Sequence, residues 1–237
     1  MDIIENQIRE FLRDRSSGSE ALAKNALAII KHLNTKGNNA ARIMNFLDKA
    51  TERFPQMVVI TKLKEHFSDG VTDAAIEEFE NLLSNKSYIE NSIFLFDAPK
   101  KIITFSRSSA VEDVILYYKN SIEKVICCHS LPLGEGKKFF EDLKTNKINS
   151  CLIEDAELSH VIPDADLMFL GADAITGEYF VNKIGTLQAV LLAQYFEKPV
   201  YVISSPLKKI KKSSYSLEKL GQYFEAIDNS LISEFIY

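Results

Sequence analysis

The sequence predicts an α/β protein whose first part is entirely helical. Residues 2 to about 95 carry apolar side chains only at helical spacing, and after Pro99 short β-rich runs alternate with helical stretches. The absence of internal repeats, low-complexity tracts and long linkers makes the helical part a layer packed directly on the rest.

The elements follow in order. Ile3, Ile4, Ile8, Phe11 and Leu12, then Leu22, Ala26, Leu27, Ile30 and Leu33, recur at three and four residues, which places them on one face of a helix. Further helices are expected over 39–53, 56–67 and 72–92, with breaks at Lys36-Gly37-Asn38-Asn39, at Pro55 and at Asp69-Gly70. The β-rich runs are KIITF, EKVICCH, NSCLIE, DLMFL and PVYVIS, with helices between them over 109–120, 134–146, 155–160 and 185–197. Strands alternating with helices build a parallel sheet from βαβ units, here a doubly wound, Rossmann-like sheet whose ligand crevice lies beyond the carboxyl ends of the strands. The expected domains are therefore residues 1–97, helical, and residues 98–237, Rossmann-like.

Composition excludes several function classes. Hydrophobic residues make up 46% and charged residues 26%, with no apolar tract long enough to span a bilayer, so no membrane role is expected. The start, MDIIENQIREFLRD, lacks the basic head and continuous apolar run of a secretory signal, and a cytoplasmic protein is expected. A net charge of −5 argues against direct nucleic-acid binding, and the basic run KKIKK at 208–212 reads by default as a solvated face. Three cysteines form no even disulfide framework, and four scattered histidines have no ligand spacing, so reduced thiols, no metal and no cofactor are expected.

The candidate site residues cluster where strands end. KIITF runs into Ser106, Arg107, Ser108 and Ser109, which offer hydroxyls, a guanidinium and free N–H groups to one anion; Ser109 and Glu112 read as a capping box. DLMFL delivers Asp173, a carboxylate suited to general acid or base work. After a turn at Thr176-Gly177-Glu178, Asn182 and Lys183 precede a helix start, where a lysine makes sense beside a bound phosphate. Gly185, lacking a side chain, would let that start approach the ligand. Lys208, just beyond PVYVIS, adds a second positive charge at the same rim. In the helical part, Arg15, Ser17, Gly18 and Ser19 read as a backbone cradle closing the crevice, with Ser17 and Glu20 as a second capping box.

GAD at 171–173, NKIGT at 182–186, SLPLGEGKKFFEDL at 130–143 and SSGSEALA at 16–23 give the chain a resemblance to a known superfamily. It joins ribose-1,5-bisphosphate isomerase and methylthioribose-1-phosphate isomerase with the alpha, beta and delta regulatory subunits of translation initiation factor 2B. The resemblance implies a helical domain on a Rossmann-like domain, homodimers or larger assemblies, and a crevice for a phosphorylated sugar or a nucleoside monophosphate. The chain is shorter than typical members, so a trimmed C-terminal segment is expected. In the isomerases the Asp of GAD, matched by Asp173, works with a cysteine after the first sheet strand, a position that falls on Ser106 here. A serine hydroxyl is far less acidic than a thiol, whose reference pKa is about 8.5. Two arginine positions of the family fall on Leu131 and Ser17, with Arg15 and Arg107 as candidate replacements. Three readings follow: a subunit-like binding or regulatory protein, an aldose-ketose isomerase using Asp173 and Ser106, and an oligomeric scaffold whose crevice is vestigial.

Overall fold

The structure, a computed structural model, describes residues 3–15, 17–35 and 39–237. The expected break at 36–38 and Ser16 of the serine-glycine segment lie outside the described residues. The N-terminal helices are α1 (Ile3–Arg13), α2 (Ser19–Asn34), α3 (Ala40–Arg53), α4 (Val58–His66) and α5 (Asp73–Ser84). Their apolar stripes close one core: Ile4 and Phe11 of α1, Leu22, Ala26, Ile30 and Leu33 of α2, Ile43 and Leu47 of α3, Ile60 and Leu63 of α4, Phe79 of α5. Each large side chain buried this way contributes about 1.5–3 kcal/mol, so the stripe rather than local propensity holds the layer together. The expected helix over 72–92 is interrupted. Asn85 turns its side-chain oxygen to the N–H of Ser87 at 2.9 Å, an alternative to helical bonding that asparagine offers its own backbone, and only the short α6 (Tyr88–Asn91) resumes.

Beyond α6 come β1 (Lys100–Thr104), α7 (Ser109–Tyr117), β2 (Ile122–Cys128), α8 (Glu135–Thr145), β3 (Ser150–Ile153), α9 (Leu158–Val161) and β4 (Leu167–Leu170). The chain then forms β5 (Ala174–Ile175), β6 (Tyr179–Lys183), α10 (Thr186–Tyr195), β7 (Val200–Ile203), β8 (Phe224–Asp228) and β9 (Glu234–Ile236). The main sheet has the order β3-β2-β1-β4-β7-β9, and each neighbouring pair in it is parallel. Side chains alternate along the strands: Leu167 and Phe169 face α7 and α8, while Met168 and Leu170 face α9 and α10. A sheet covered on both faces explains why DLMFL reads as a continuous apolar run instead of alternating with polar residues.

Five expected strands become six, and a second sheet appears. The added sixth strand, β9, is only three residues long and lies at the sheet edge, too short to show a period. Between β4 and α10 the chain makes the hairpin β5–β6, which β8 extends into a three-stranded antiparallel sheet. The turn at Thr176 is held by its own hydroxyl, which accepts the N–H of Tyr179 at 3.0 Å. Asn182 and Lys183 thus end a strand of this small sheet, not of the main one.

Candidate functional site

In this strand order the crossovers leave β1 and β4 toward opposite faces, and the crevice opens at their carboxyl ends. From β1 the chain continues into Phe105, Ser106, Arg107 and Ser108; from β4 it continues into Gly171, Ala172 and Asp173. Glycine is required at 171 because a Cβ there would lie 2.5 Å from the Ser108 side chain. Ser106 takes a left-handed φ of 65° and Ser130, at the end of β2, one of 63°. Such residues cost about 1–3 kcal/mol each and persist only where their surroundings enforce them. Here the N–H of Ser106 donates to Ser130 Oγ at 2.6 Å, that hydroxyl donates to the Cys128 carbonyl at 3.1 Å, and the Asp155 carboxylate accepts the N–H groups of Ser130 and Leu131 at 2.7 and 2.8 Å.

The result is a cleft of about 680 Å³ between the strand ends and the helical layer. Arg15, Ser17, Gly18 and Ser19 line it from the helical side, Ser106, Arg107, Ser108 and Ser109 from the β1 end, and Asp173, Asn182, Lys183 and Lys208 from the far wall. All twelve candidate residues therefore share one cavity. At the start of α7 the N–H groups of Ser109 and Ala110 find no acceptor among the described residues.

Their charges are not equally available. Lys208 is only 8% exposed, and its ammonium donates to the Ala172 carbonyl at 2.5 Å, with no carboxylate in ion-pair distance among the described residues. Burial pushes its pKa below the ordinary lysine range, against the opposing charges of Asp173 and Glu20. Lys183 is as deeply buried but is paired with the Glu135 carboxylate and lies 4.7 Å above the Phe224 ring. Arg107 is held by Asp142 at 2.9 Å and Glu112 at 3.5 Å. Asn182 donates to the Thr186 hydroxyl at 3.1 Å.

Several expectations are corrected here. The start of α10 does not await an anion, because the Leu187 N–H is taken by the Glu225 carboxylate at 2.8 Å. Gly185, at φ 94°, makes room for the Phe105 ring, 2.6 Å from where a Cβ would sit, and not for a ligand. Helix α7 is capped by Ser108, which accepts from Val111 at 3.5 Å, and Ser109 donates instead to Glu20 at 2.5 Å. Neither capping box forms: α2 has Gly18 at its N-cap with no side-chain bond, and the Ser17 N–H donates to Asp14. The run at 208–212 is not uniformly solvated, since Lys208 is buried and Lys209 lies 3.3 Å over the Tyr237 ring.

Glu135, Arg53 and Gln56 also line the cleft without having been singled out from the sequence, and so does Glu20, which the sequence marks only as a cap residue. For Glu135 the available signal was the GEG stretch opening a helix after a strand; for Arg53 it was a helix-terminal arginine before Phe54-Pro55. Burial pushes the Glu20 carboxyl up, but hydrogen bonds from Lys24 and Ser109 and the charges of Lys24 and Lys208 outweigh it and leave it below the usual range. The cysteines are unpaired, and burial in β2 pushes the Cys127 thiol up to about 12. Among the described residues no group of side chains is arranged to hold a metal ion, and no helix is long and apolar enough to cross a membrane.

These features define a doubly wound α/β protein whose switch-point cleft is roofed by a helical layer. The chain belongs to the initiation factor 2 subunit family, whose model matches residues 4–220. It is 36% identical over 117 residues to an eIF-2B subunit 2-like protein of Pyrococcus furiosus, covering 48% of this chain and 42% of that protein's length. With ribose 1,5-bisphosphate isomerase of Methanocaldococcus jannaschii it shares 28% identity over 215 residues, 85% of this chain and 69% of the relative. The crystal structure of translation initiation factor eIF-2B from Pyrococcus horikoshii has the same fold, with a TM-score of 0.88 at 23% identity over 100% of this chain and 95% of that one.

Proposed function

We propose that the protein binds a phosphorylated small metabolite, a sugar phosphate or a nucleoside monophosphate, in this cleft, as a cytoplasmic translation initiation factor 2B subunit-like protein with a binding or regulatory role. In this reading residues 98–237 form the ligand-binding domain, residues 1–97 lend it a helical roof, and the chain works as a homodimer or larger assembly. The observation that carries the reading is Lys208, a buried ammonium beside Asp173 with only a carbonyl as hydrogen-bond partner. A buried cation without a directly paired carboxylate is costly, and a phosphate at that wall relieves it through charge-assisted hydrogen bonds. The unpartnered N–H groups at the start of α7 offer further donors.

Ser106 supports binding over turnover. Its hydroxyl holds its proton near neutral pH, and losing one acid-base partner costs about 10²- to 10⁴-fold in rate. A second reading, an aldose-ketose isomerase, is favoured by one observation: Ser106 and Asp173 face the same cleft from the ends of β1 and β4.

Thermal unfolding with ribose 5-phosphate, ribose 1,5-bisphosphate and AMP tests the proposal. At least one ligand is expected to raise Tm, since a ligand at 100 times its Kd adds about 2.7 kcal/mol, and Lys208→Met is expected to remove the shift. A wild-type Tm unmoved by all three overturns the binding reading. Under the isomerase reading Ser106→Cys sharply raises turnover; under the binding reading wild type and variant are both inactive.

A further inference from the structure

We infer that Glu135 sets the ligand class of this cleft: by holding Lys183 it leaves a single buried cation free and selects a ligand with one phosphate over a ligand with two. The inference rests on the cleft binding a phosphorylated metabolite.

The geometry around Glu135 is rigid. It is the first residue of α8, preceded by Gly134 at φ 72° and followed by Gly136, where a Cβ would lie 1.7 Å from the Cys128 carbonyl. The helix start is thus pressed against the end of β2 and cannot withdraw. From there one carboxylate oxygen pairs with Lys183, with side chains only 16% and 9% exposed. The other oxygen, Oε2, is buried without a hydrogen-bond partner among the described residues. Lys183 is therefore the whole compensation of this carboxylate. A phosphate that took Lys183 would strand a buried negative charge beside itself, the arrangement that desolvation penalises most.

Lys208 has no carboxylate at ion-pair distance among the described residues, Asp173 and Glu20 acting on it only from further away, so a phosphate there gains a partner and breaks no ion pair. The remaining cations do not make a second phosphate subsite. Arg107 is engaged by Asp142 and Glu112. Arg13, Arg15 and Arg53 are exposed and share the rim with Asp14 and Glu52, where ion pairs in water contribute little. In all, six basic and five acidic side chains line the cleft, and a net charge of about one positive only partly offsets the roughly −2 of one phosphate and leaves nothing for a second.

Titration calorimetry with ribose 5-phosphate and ribose 1,5-bisphosphate tests this in wild type, Glu135→Gln and Glu135→Gln/Lys183→Met. Wild type is expected to bind the monophosphate about tenfold more tightly or better, as one lost charge-assisted contact implies. Glu135→Gln frees Lys183 and shifts the ratio about tenfold toward the bisphosphate, and Lys183→Met added to it cancels the shift. Equal or tighter bisphosphate binding by wild type, or a ratio unmoved by Glu135→Gln, overturns the inference while the binding reading stands. If neither ribose phosphate binds wild type, the inference falls, and AMP binding then decides whether the binding reading stands.

Discussion

Helices α7 and α10 both begin where the chain leaves a strand, and both carry cations and polar residues at their starts, yet they end in opposite states. At α7 the N–H groups of Ser109 and Ala110 find no acceptor among the described residues, and Ser108 caps at the long distance of 3.5 Å. At α10 the Leu187 N–H is closed by Glu225 and the adjacent Lys183 by Glu135. Glu225 comes from β8, 38 residues further along the chain, and Glu135 from α8. A helix start next to a lysine is an anion site only while no carboxylate of the protein occupies it first.

Breaking the open side should have the largest effect. Lys208→Met removes the buried cation held at the Ala172 carbonyl and is expected to lower phosphate-ligand affinity about 100-fold, the upper end for a charged hydrogen bond, read by calorimetry. Gly171→Ala drives a methyl into Ser108; overpacking of that kind costs about 1–3 kcal/mol, so denaturant unfolding should show that loss together with weakened binding. On the closed side, Glu225→Gln is expected to cost only about 1 kcal/mol and to leave ligand affinity unchanged, a result that separates a structural helix cap from a ligand site. The smallest effect is in pH. Burial lowers the Lys208 pKa, so the charged form needed for an anion is lost as pH rises through that lowered value. Affinity should therefore decline on the alkaline side before ordinary lysines titrate, and Lys208→Arg should flatten the decline.

The helical layer was legible because its stripes, such as Leu22, Ala26, Ile30 and Leu33, are long and strictly one-sided. The main strands were legible because sheets buried on both faces produce unbroken apolar runs such as LMFL. The hairpin β5–β6 was not, since AI is too short for a period and YFVNK lies beside the motif it was read with. The helix caps misled for a related reason: Ser109 and Glu20 suit capping boxes locally, but they meet each other across 89 residues of chain.

The sequence by itself determined the alternation of strands and helices and the gathering of Ser106, Asp173 and Lys208 at strand ends, because burial periodicity and chain order along a parallel sheet leave few other arrangements. Which cations are spent and which are free was decided only by the tertiary structure. Lys183 and Lys208 are alike in the sequence as rim lysines, and they differ because Glu135 is brought to one while, among the described residues, the other meets the carbonyl of Ala172 and no carboxylate at ion-pair distance. Charge compensation acts over a few ångströms of space, and chain position does not encode it.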